Sequence, residues 1–173
     1  MSAFPDWQKF AVTQRHLSTG CIPTGYEMIL RAAGRTEVDF TRFQEEFDLD
    51  LNTSTAPRNH FVSVANAVKV RYSALNFTCE FFKKGEGAAK VRRMEERVAA
   101  QQPLLVSIAN EPFGGPGWHI MLLVDSTVDD FTFLEYLDGL GQAHTRTLPK
   151  SQIAVIHDRF LGGDEIAYLN PGP

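Results

Sequence analysis

The chain has two cysteines in 173 residues. That is too few for the disulfide framework that staples small secreted domains, so the fold must rest on a packed core and both thiols are expected to be free. Positive charge is not in excess either. A formal net charge of −4 removes the general electrostatic reason to bind nucleic acid or an anionic membrane surface. Long apolar runs are missing: the longest, Leu104 to Ala109 and Ile120 to Val124, fall far short of the roughly 20 residues a helix needs to cross a bilayer. They read as buried strands. The amino-terminal MSAFPDWQKF lacks the basic start and apolar stretch of a secretory signal, which makes a cytoplasmic location the expectation, with export by a signal-independent route left open. Neither cysteine has a partner at metal-ligand spacing, and His16, His60, His144 and His157 are dispersed. No metal or other cofactor is expected.

What is present is ordinary for a globular protein, with 43% apolar and 22% charged residues. One domain over residues 1–173 is the expectation. The one basic cluster, Lys83, Lys84, Lys90, Arg92 and Arg93, alternates with Glu86, Glu95 and Glu96, as on a solvated helix face. From Cys21 to Ala33, Ile22, Tyr26, Ile29 and Leu30 recur at three- and four-residue spacing, which predicts a helix. Pro23 fits only a first turn, Ser18 and Thr19 offer capping hydroxyls, and Gly34 stands where helices commonly end. The same logic gives a short helix capped by Asp39 with Phe40, Phe43 and Phe47, another over Pro57 to Val70, and a charged one over Ala88 to Ala100. Between them Leu75, Phe77, Cys79 and Phe81 alternate as in a strand. From Pro103 onward the apolar segments Leu104–Ala109, Trp118–Val124, Phe131–Leu137 and Ala143–Leu148 are separated by turn-rich breaks, and predict an antiparallel sheet. A helix near Ser151 to Phe160 and a strand over Glu165 to Leu169 close the chain. Helices first and strands second indicate an α+β domain.

Cys21 falls at the start of the first helix, where unpaired backbone amides and the positive end of the macrodipole favour a thiolate. Cys79, inside an apolar alternation, has no such setting. His119 opens the run HIMLLV directly after the loop EPFGGPGW, and Asp138 ends the next apolar segment, so an in-register hairpin would bring the two together. Asp125 and Glu135 are weaker partners for His119: the first lies at the far end of the His119 strand, and the second, three residues before Asp138, is expected on the opposite side. His16, five residues before Cys21, stands in a polar loop where nothing fixes its ring. Gln14 precedes the helix and is placed to share an oxyanion with the Cys21 amide.

Together QRHLSTGCIPTGYEMILRAAG, GWHIMLLVD and YLDG resemble the papain-like cysteine peptidase superfamily, and most closely the bacterial double-glycine peptidase group, which includes domains that trim bacteriocin leader peptides. The similarity runs from Gln14 to about Leu169. It implies amino-terminal helices packed on a carboxy-terminal antiparallel sheet, Cys21 as nucleophile, His119 as base, Asp138 as its orienting carboxylate and Gln14 as oxyanion donor. The implied reaction is hydrolysis of a peptide, isopeptide or other amide bond through an acyl-enzyme, without a cofactor and with a peptide or protein substrate. Ile22 stands where that group has glycine, and Gly139 where it has proline. Two alternatives remain open: an acyltransferase using the same triad, and a non-catalytic peptide- or protein-binding module on the same scaffold. Oligomeric state is open.

Overall fold

Tyr26, Ile29 and Leu30 are fully buried on one side of α1 (Cys21–Ala32), as their spacing requires. The computed structural model describes residues 2–52, 58–110, 112, 117–136, 143–159 and 164–171. α1 is followed by α2 (Phe43–Phe47), α3 (Leu49–Asn52) and α4 (Phe61–Arg71). Then come β1 (Phe77–Phe82), α5 (Gly87–Ala99), β2 (Leu104–Ala109), β3 (Trp118–Ser126), β4 (Asp130–Glu135), β5 (His144–Pro149), α6 (Lys150–Arg159) and β6 (Asp164–Leu169). The architecture is α+β, with six strands in one antiparallel sheet ordered β1-β6-β2-β3-β4-β5. The last strand therefore inserts between β1 and β2 and ties the end of the chain to the middle of the sheet.

Alternation along each strand divides the core in two. Leu105, Ile120, Leu122, Leu134 and Tyr136 pack with α1, α2 and α4, whereas Val106, Met121, Leu123, Phe131 and Phe133 pack with α5 and α6. Helices thus cover both faces of the sheet, not only the one served by the amino-terminal helices.

Three local expectations change. The hydroxyls of Ser18 and Thr19 do not cap α1: its N-cap is Gly20, with no side-chain bond, and Thr19 Oγ1 instead donates to Asp48 Oδ2 at 2.6 Å. Asp39 does not cap α2, whose N-cap is Arg42; its carboxylate accepts from the backbone N–H and hydroxyl of Thr41. Lys90 is not on a solvated face but completely buried. Its Nζ donates to Asp164 Oδ2 at 2.9 Å and to the Ser107 carbonyl, and His157 Nδ1 lies 2.9 Å from the same carboxylate oxygen. Burial pulls the Lys90 amine down from its ordinary range while Asp164 opposes the shift. A buried cation is tolerable only when paired in this way.

Candidate functional site

Cys21 is the first residue of α1 and is half-buried. Burial pushes its thiol up from 9.0 to about 11; backbone N–H groups of Ile22 and Cys21 pull it down, and the charges of Asp48 and Asp50 push it further up. On the order of one molecule in ten thousand would then carry a thiolate at pH 7. The helix terminus does what the sequence suggested, but desolvation outweighs it.

Gln14 is buried beside that terminus. Its backbone N–H reaches the Tyr136 carbonyl at 3.4 Å, its Nε2 donates to the His16 carbonyl at 2.7 Å, and its Oε1 is buried without a partner. A Cβ placed on Gly20 would lie 3.4 Å from the Gln14 side chain, which puts this amide against the entry to α1. His16 lies on the rim, 4.0 Å from Glu45.

His119 sits at the start of β3, paired in register with Ile108 of β2. Its Nε2 is 2.5 Å from Glu135 Oε1. The other carboxylate oxygen, Oε2, meets His144 Nε2 at 2.8 Å and Arg146 Nε at 2.9 Å. Burial pushes the Glu135 carboxyl up, but the hydrogen bonds from His119 and Arg146 and their charges win and hold it at about 2. Glu135 was expected to face away from His119, and the register shows why it does not. Leu122 pairs with Leu134 and Leu123 with Phe133, so Glu135 shares a face with Phe133, Met121 and His119, one diagonal step across the strand pair. Asp138 lies outside the described residues.

The same register gives the two expected halves of the site different anchors. Glu135 and Tyr136 are consecutive and point to opposite faces. Glu135 holds His119 on the side of α5 and α6, while the Tyr136 hydroxyl donates to the Cys21 carbonyl at 2.9 Å on the side of α1. His119 comes together with Glu135, and the Gln14 side chain lies against Gly20, the residue before Cys21. No protein-family model and no curated protein matches the chain.

Beside the first turn of α1 lies a cleft of about 260 Å³. Ile22, Phe61 and Ile120 are its buried apolar lining; Phe81 and Trp118, 59% and 44% exposed, also line it. Glu165 stands among them, its carboxyl pushed up by burial and partly offset by His60 and a backbone hydrogen bond from Phe61. Sequence reasoning missed this cleft because its residues come from α1, α4 and the residues before it, β1, β2, β3 and β6.

Proposed function

We propose that this chain is a peptide- or protein-binding module on a papain-like order of elements, rather than a cysteine hydrolase, and that it holds an extended apolar or aromatic segment in the cleft beside α1. The observation that carries this reading is the pair Glu135 and Tyr136: on consecutive residues that face opposite ways, one holds the His119 ring and the other bonds the backbone carbonyl of Cys21. A thiol at about 11 is a poor nucleophile at neutral pH. Exposed aromatics over an apolar floor suit recognition, because they give large contact area at low entropic cost. Glu165 gives the cleft one carboxylate with which to choose a basic or donor-bearing neighbour of the anchoring residue.

The test is calorimetric titration of a panel of extended peptides carrying one aromatic residue. Trp118→Ala should weaken binding by about tenfold or more, as loss of an aromatic anchor does, while Cys21→Ala leaves it unchanged. Turnover of a peptide amide by the wild type that is lost in Cys21→Ala would sink the reading.

A second reading is favoured by one arrangement, the buried amide of Gln14 against the helix start that carries Cys21. It keeps Cys21 as nucleophile, with Gln14 and the Cys21 N–H as oxyanion donors and His119 as base, Glu135 standing where Asp138 was expected. Hydrolysis and acyl transfer then differ only in whether water or an amine accepts the acyl group. This reading requires His119 to reach Cys21 from the other face of the sheet.

A further inference from the structure

α1 and α5 end side by side at the opposite end of α1 from Cys21, and both end in the same way. Gly34 N–H bonds to the Arg31 carbonyl at 3.0 Å and Arg35 N–H to the Leu30 carbonyl at 3.1 Å; Gln101 N–H bonds to Val98 at 3.0 Å and Gln102 N–H to Arg97 at 3.0 Å. These are two Schellman caps, which satisfy the terminal carbonyls with backbone donors. The nearby arginine side chains are therefore not needed as caps.

Between these ends opens a pocket of about 490 Å³, within the range that holds small organic ligands. Phe4, Ile29, Ala32 and Leu169 give it an apolar lining, and Arg35 and Arg97 stand in its wall with no Asp or Glu among the described lining residues. The Nε of each arginine is buried and has no hydrogen-bond partner. Other contacts leave these guanidinium groups under-used. Arg35 Nη1 lies 3.9 Å from Glu37, and Arg97 has one neutral bond, from Nη1 to Gln102 Oε1 at 3.2 Å, with its guanidinium over the Tyr168 ring. With Nε closed off, each guanidinium has its Nη groups left to offer, and a carboxylate or similar planar anion is the acceptor that suits such donors best.

We propose that this pocket binds a small organic anion with an apolar body, its charged head between Arg35 and Arg97 and its tail against Phe4, Ile29 and Leu169. The site is separate from the cleft beside Cys21 and does not depend on the reading given to that cleft.

The probe is octanoate, compared with 1-octanol at equal concentration, by calorimetric titration and thermal melting of the whole chain. Octanoate should bind at least about tenfold more tightly than octanol, the scale of a lost charge-assisted hydrogen bond, and should raise the melting temperature. Arg35→Gln combined with Arg97→Gln should reduce octanoate affinity to that of octanol, with circular dichroism showing the fold retained. Ala32→Phe, which fills the pocket and keeps both arginines, should abolish both ligands, whereas Trp118→Ala should leave octanoate binding unchanged. Equal binding of octanoate and octanol, no binding of octanoate up to its solubility limit, or unchanged octanoate binding in the double variant would overturn the proposal.

Discussion

The two faces of the sheet treat their polar residues differently. On the face under α5 and α6, every described charge that enters the core is paired: Lys90 with Asp164, and Glu135 with His119, His144 and Arg146. On the side of α1, the buried carboxylate of Glu27 is paired with Arg31 and Gln44, while the Cys21 thiol is desolvated and the charges of Asp48 and Asp50 push it toward its protonated form. Charges are held by partners on both sides, and the thiol is the group beside α1 that burial keeps protonated. The proposed reading sets His119 on the α5 face and Cys21 on the α1 face.

The largest way to break this contrast is to remove a charge from the α5 face. Asp164→Ala leaves the Lys90 ammonium buried without its carboxylate and is expected to cost about 3–5 kcal/mol, measured by urea denaturation. Gly87→Ala attacks the same face sterically. A Cβ there would lie 2.4 Å from the backbone carbonyl oxygen of Ala154, and the overpacking is expected to cost about 1–3 kcal/mol. On the α1 face, Tyr136→Phe removes one hydrogen bond, to the Cys21 carbonyl, and should cost only about 1 kcal/mol.

Acid titration sharpens the same contrast. The folded-state pKa of Glu135, about 2, lies below its ordinary value of 4.5. The stability it contributes is then fully present above pH 4.5 and is lost as the pH falls toward 2. Stability measured across that window should decline in the wild type and decline less steeply in Glu135→Gln. An equal slope in both would mean that the carboxylate is not held by His119 and Arg146. The smallest effect is at the end of α5, where Gln101 has a φ of 58°, a conformation that glycine adopts without strain. Gln101→Gly should stabilise the fold by about 0.5–1 kcal/mol, seen as a rise in the urea midpoint.

Most elements were legible in the sequence because periodicity reports burial. α1, α5, β2 and α6 begin and end within a residue or so of where spacing put them, and Gly34, at φ 64°, closes α1 as expected. What periodicity could not report was which face His119 points to. β3 is covered by helices on both sides, so HIMLLV is apolar at every position and carries no alternation to orient its first residue. For Glu135 the signal existed: a carboxylate inside the apolar run FTFLEYL is seldom buried unless paired. Lys90 was misread for the complementary reason. Its neighbours in sequence are charged and exposed, while its partner Asp164 lies 74 residues away.

The most direct measurement is the rate of iodoacetamide alkylation at Cys21 and Cys79 across pH, resolved by mass spectrometry, in the wild type and in His119→Ala. Cys21 should react slowly at pH 7, gain reactivity only well above the roughly 8.5 of a free thiol, and behave identically in the two proteins. A Cys21 that titrates well below 8.5 and loses this on His119→Ala would show that the two residues meet, and would contradict the division of the site between the two faces.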